Sequence, residues 1–63
     1  MTEWIAKAVG IMHSNRIRNI DIAEHLGYKP EYISMILNEK KTPKNAEQMI
    51  MTAIKEIIED KSN

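Results

Sequence analysis

The chain has 63 residues, with nine Lys/Arg against nine Asp/Glu, a formal net charge of zero and no cysteine. A chain of this length holds one domain, taken as residues 1–63, and buries only about 60% of the surface its unfolded form exposes, which leaves room for a partner that adds burial. Without cysteine, disulfides and thiolate metal sites are excluded, and no apolar run approaches the roughly 20 residues of a membrane span. The first residues also lack a charged segment followed by an apolar one, so the expectation is a soluble protein of a reducing cytoplasm with no membrane partner.

Four helices are predicted, with no strand pattern and no repeat. The first runs from about Glu3 to Ser14 with Thr2 as its cap; Trp4, Ile5, Ala8, Ile11 and Met12 share one face, and Glu3, Lys7 and Ser14 lie off it. Gly10 weakens this helix slightly. Trp4 reads as a core anchor and not as part of a cofactor or aromatic cage. The second helix runs from about Ile20 to Leu26, capped by Asn19 or the residue before it. The third runs from Pro30 to about Asn38, because proline suits a first turn where its missing N–H has no partner to lose, and it forces Lys29 extended.

The last helix begins near Pro43, capped by Thr42 or again at Asn45, and reaches about Asp60. Ala46, Met49, Ile50, Ala53 and Ile57 form its inward stripe. Met51, Ile54 and Ile58 widen the apolar arc to roughly 200°, twice the ~100° usual for a surface helix. Two explanations stand: the first helix wraps around to cover the excess, or Met51, Ile54 and Ile58 form the contact of a two-fold homodimer.

Within Asn19–Asn38 the spacing is that of a helix-turn-helix, with Ala23, Gly27 and Ile33 separated by four and six positions. Two short helices crossing around a tight turn need a small side chain at the crossing, and Ala23 supplies it. Reversing direction within one residue favours positive φ, which Gly27 tolerates. Ile33, Ile36 and Leu37 turn one stripe of the third helix back onto Ile22 and Leu26 of the second.

Charge is unevenly placed. Residues 1–44 hold seven Lys/Arg and five Asp/Glu, whereas residues 45–63 hold two and four. Lys40, Lys41 and Lys44 follow the third helix, and Arg16 and Arg18 precede the second. Taken alone such a run is a solvated surface; flanking a helix-turn-helix on both sides, it reads as a nucleic-acid footprint.

Over Ile17–Lys44, read as IRNIDIAEHLGYKPEYISMILNEKKTPK, the chain resembles the small phage regulators of the lambda repressor and Cro helix-turn-helix type, also called the xenobiotic-response-element family. The resemblance implies a compact all-α four-helix domain whose third helix enters the major groove of an operator. It also implies a transcriptional repressor or antirepressor switch element, working as a homodimer on double-stranded DNA in a bacterial or phage-infected bacterial cytoplasm. Asn19 takes the place where similar proteins set an amide against a phosphate. Lys29, Pro30 and Glu31 form the leading edge of the recognition helix, and Ser34, Met35 and Asn38 continue that face.

On that face Glu31, acceptor-only when ionised, matches the cytosine amino group, or is simply a first-turn acid favoured by the helix dipole. Ser34 serves donors or acceptors, Met35 packs on a thymine methyl, and Asn38 pairs with adenine. Arg18, Lys40, Lys41, Thr42 and Lys44 are expected phosphate contacts; Tyr32 either gives its hydroxyl to a phosphate or packs against the preceding helix. The chain departs from the family at Lys29, where a capping Ser or Thr is common. It departs again at Asn38–Glu39, where Asn-Gly is common, which makes Asn38 a candidate left-handed cap. It also has four predicted helices where lambda repressor has a fifth that builds its dimer.

Nothing points to an enzyme. His13 and His25 fall on different helices with no ligand-spaced partners, and Asp21, Glu24, Glu47 and Glu56 pair no nucleophile with a base. No metal, cofactor or small-molecule ligand is expected. The competing function is a protein-interaction module of the same fold, such as an antirepressor or antitoxin-type partner, using the apolar side of the last helix.

Overall fold

A computed structural model describes residues 2–62, and among these all regular structure is helical: α1 (Glu3–Ser14), α2 (Asn19–Leu26), α3 (Pro30–Leu37) and α4 (Ala46–Ser62). The first helix has the predicted ends. Thr2 stands at its N-cap in extended conformation, but its side chain does not cap; the hydroxyl donates to Glu39 Oε1 at 2.6 Å, tying the start of α1 to the loop after α3. The second helix starts one residue earlier than expected, with Arg18 in the cap position, and the third stops at Leu37.

The last helix is shifted. Residues 43–45 form a turn in which the Ala46 N–H reaches the Pro43 carbonyl at 3.1 Å, and the first helical bond runs from the Met49 N–H to the Asn45 carbonyl at 2.9 Å. Asn45, a strong N-cap type, therefore sets the start in place of Thr42 and Pro43, and the helix continues to Ser62.

The chain contains no Phe, and its core is built from isoleucine. Ile5, Ile22, Ile33, Ile36 and Ile50 are fully buried, one or two from each helix, with Ala8, Ala23 and Ala53 letting the backbones approach. Helices of eight residues are marginal alone and β-branched residues lower their propensity, so α2 and α3 exist because they pack. They pack on each other, α4 packs on α1 and α2, and the described polar and charged side chains all stay outside the core. The radius of gyration, 10.8 Å, matches the ~10.6 Å expected for a compact domain of this length, so α4 folds back on the others and does not project.

Gly10 lies on the exposed side of α1, and a Cβ built there meets nothing within 4 Å. Gly10→Ala is therefore expected to stabilise the domain by about 0.5–1 kcal/mol, a rise of a few degrees in a thermal melt followed by circular dichroism. An unchanged or lower midpoint would show that α1 does not limit stability.

Three helix ends share one device. At each, a residue in the left-handed region turns the chain: Arg16 (φ 56), Gly27 (φ 82) and Glu39 (φ 61). The N–H groups that follow return to the last turn, Ile17 to Met12, Tyr28 to Ala23 and Lys40 to Met35, each at 2.8 Å. This is the Schellman arrangement. Only Gly27 is the residue that it favours.

Among the described residues, no helix is long and apolar enough to cross a membrane.

Candidate functional site

The pair α2 and α3 is joined by Gly27, Tyr28 and Lys29. Ala23 has no exposed surface, and its carbonyl accepts from both the Gly27 and the Tyr28 N–H at 2.8 Å, so one residue serves both the close approach and the cap. At Gly27 a Cβ would meet nothing within 4 Å; glycine is needed there for its φ of +82°, not for space. Lys29 is extended at φ −88°, ψ 148°, as Pro30 requires.

Ile33, Ile36 and Leu37 of α3 are buried, which fixes the rotation of the helix and turns the other side outward. Glu31 is exposed in the first turn, Ser34 is half-buried, and Met35 is 38% exposed, one of three large apolar residues so placed among the described residues. An unbranched thioether held at the surface by its buried neighbours is a group available to another molecule.

Asn38 closes α3 without taking the left-handed conformation. Its φ is −97°, so it is not the left-handed residue; Glu39 is. The reason lies in the hydrogen bonding: with Lys40 N–H on the Met35 carbonyl and Glu39 N–H on the Ile36 carbonyl at 3.1 Å, the turn residue falls one place later. The Asn38 amide meanwhile donates to the Ser34 carbonyl at 2.8 Å and to Ser34 Oγ at 3.2 Å. Pairing with adenine takes both the amide N–H and the carbonyl, so Asn38 must first release Ser34.

Around α3 the polar groups gather in two hollows. In one, of about 330 Å³, Arg18 and Asn19 at the start of α2 face Leu37 and Asn38 at the end of α3, with His13 between. In the other, of about 240 Å³, Lys41, Thr42 and Lys44 lie beside Thr2 and Trp4. Lys40, Lys41 and Lys44 are exposed and make no ion pair among the described residues.

Arg18 differs. Its guanidinium bonds Asp21 through Nη2 at 3.2 Å and Nε at 3.3 Å, and its backbone N–H donates to the same carboxylate at 2.8 Å. These bonds, the side-chain one foremost, hold the Asp21 carboxyl below the usual carboxylate range and raise the guanidinium further. The Arg18 and Asp21 pair is electrically neutral, which weakens Arg18 as a phosphate contact.

Tyr32 is half-buried against the core, and its ring lies 5.0 Å from that of Tyr28, tilted by 55°. Tyr28, 47% exposed, and Ile20, 39% exposed, extend the outer surface of the pair in a way the sequence reading missed. The apolar spacing flagged Ile22 and Leu26 but carried no signal for Ile20.

One assignment on α4 is corrected. Ile54 is 2% exposed and belongs to the core, where α4 packs on α1 and α2; it is not part of a free face. Met51 and Ile58 remain half-buried, and with Ile11 they edge an apolar groove of about 230 Å³ floored by Ile54. Two long-range bonds were illegible in the sequence: His25 Nε2 to Glu56 Oε1 at 2.7 Å, joining α2 to α4, and Lys61 Nζ to the Asn15 carbonyl at 3.0 Å.

The chain matches no protein-family model, no curated protein and no solved structure among those compared with it.

Proposed function

We propose that this chain is a sequence-specific DNA-binding regulator of the lambda repressor and Cro helix-turn-helix type, which lays α3 in the major groove of an operator. The observation that carries the reading is α3 itself, anchored by Ile33, Ile36 and Leu37 while Glu31, Ser34 and Met35 stand on its outer side. The uncompensated Lys40, Lys41 and Lys44 beside its end supply phosphate contacts that position without reading sequence. In this reading Lys29, Pro30 and Glu31 lead into the groove, Asn19 and Thr42 bind backbone, and Met35 meets a thymine methyl.

Labelled random-sequence duplex, titrated at low and at physiological salt, tests this. Binding that weakens steeply as salt rises supports it, and absence of binding at low salt overturns it.

A homodimer is part of the proposal, since a two-fold pair sets two recognition helices one DNA turn, about 34 Å, apart. Its surface is the groove edged by Ile11, Met51 and Ile58. Met51→Glu and Ile58→Glu are expected to halve the mass seen in sedimentation while the fold persists; a mass equal to that of the unaltered chain would reject this surface. The same groove favours a second reading, a module that binds another protein through α4, and the neutral net charge agrees with it. Failure to bind duplex together with a monomeric mass would favour that reading.

A further inference from the structure

The corner between α1 and α2 carries a cation that the fold holds in an unfavourable backbone conformation. Arg16 sits at φ 56°, its N–H donating to the His13 carbonyl at 3.3 Å while Ile17 N–H closes on Met12 at 2.8 Å. Glycine is the residue this position favours, and an L side chain there is strained. The Arg16 side chain is exposed and makes no ion pair among the described residues. Arg18, two residues on, is matched by Asp21, whereas Arg16 has no such carboxylate; Lys61, whose Nζ donates to the Asn15 carbonyl at 3.0 Å, is a second cation at this corner.

Two hollows meet there. One is lined by Met12, His13, Arg16, Ile17 and Arg18; the other shares Met12, His13, Ile17 and Arg18 with it and runs past Asn19 to Leu37 and Asn38 at the end of α3. Arg16 therefore stands at one end of a continuous depression of mixed polarity that reaches the end of α3. The Lys41–Lys44 loop lies by Thr2 and Trp4, at the other end of α1, which at 1.5 Å per residue is about 18 Å long. The hollow beside that loop also carries Glu39 and Glu47, and its cations are the exposed ammonium ends of Lys41 and Lys44; these and Arg16, so separated, can each meet one of the backbones that border a major groove about 12 Å wide.

We propose that Arg16 is a DNA-phosphate contact, holding the backbone strand on the far side of α3 from the Lys40–Lys44 loop, and that this is why a strained arginine occupies a glycine position. The inference rests on the DNA-binding reading.

The test is duplex affinity against salt, measured with a 20-base-pair random-sequence duplex alongside thermal melts. Arg16→Gly is expected to raise the melting midpoint by a few degrees and yet lower the log–log salt slope by about 0.9 per bound protomer, the loss of one phosphate contact in each. Arg16→Gln, which keeps the strain and removes the charge, should lower the slope equally, and Arg16→Lys should restore it. Gly10→Ala, also stabilising, should leave the slope unchanged. Unaltered slopes in Arg16→Gly and Arg16→Gln, with the parent chain binding duplex, would overturn this inference alone. A parent chain that binds no duplex at low salt would overturn the DNA-binding reading and this contact with it.

Discussion

Ile33→Ala is expected to lower the thermal midpoint by at least about 8 °C, and Ile20→Ala to leave it within a few degrees. The two positions carry the same side chain, one fully buried on α3 and one 39% exposed on α2. Removing a buried isoleucine to alanine costs about 2–5 kcal/mol, because the surrounding side chains only partly fill the space left. A domain of this length has roughly 3–9 kcal/mol to lose, so the substitution takes a large share of it and in the worst case unfolds the chain. The cost also falls where function is placed: Ile33 sets the rotation of α3 that turns Met35 and Ser34 outward. Circular dichroism melts of both variants check this. Similar small shifts in the two would mean that α3 is not held by its buried stripe.

Replacing Lys40, Lys41 and Lys44 together by alanine is expected to reduce the log–log salt slope of duplex binding by about 2.7 per bound protomer, at about 0.9 for each phosphate released. The three side chains are exposed, lie outside the helices and make no ion pair among the described residues, so the fold should be nearly indifferent to their loss. Arg18→Ala should have a smaller effect on the slope than any one of them, because Asp21 already cancels its charge. A folded triple variant with an unchanged slope would remove the loop from the interface and leave α3 without its positioning contacts.

Local rules made much of the fold legible. The ends of α1, the start of α3 at Pro30 and the left-handed Gly27 each follow from one or two residues with narrow conformational preferences. For the start of α4 two such preferences compete, Pro43 suiting a first turn and Asn45 a cap, and of the two starts that the sequence offers the one at Asn45 forms, the first helical bond running to its carbonyl. Asn38 is a candidate for positive φ because asparagine tolerates it, whereas the position of the turn is set by which carbonyls the last turn of α3 leaves open, and that count ends at Glu39.

Ile54 shows the limit of a helical projection. It gives the direction in which a side chain points, but not whether neighbouring helices close over it, and Ile54 is 2% exposed on a helix packed against both α1 and α2. The pairs His25 with Glu56 and Arg18 with Asp21 differ in the same way. The second lies three apart along one helix start and belongs to local pattern; the first spans 31 positions and depends on how α2 and α4 pack.

The chain has five methionines, and three of them report separate surfaces: Met35 on the outer side of α3, Met51 at the groove of α4 and Met12 in the core. Methyl resonances of methionine-labelled protein, followed as random-sequence duplex is added, test the central claim most directly. The Met35 methyl is expected to shift and broaden first while Met12 stays in place. Saturating duplex that leaves Met35 unmoved, or that moves Met51 alone, would contradict the placement of α3 in the groove.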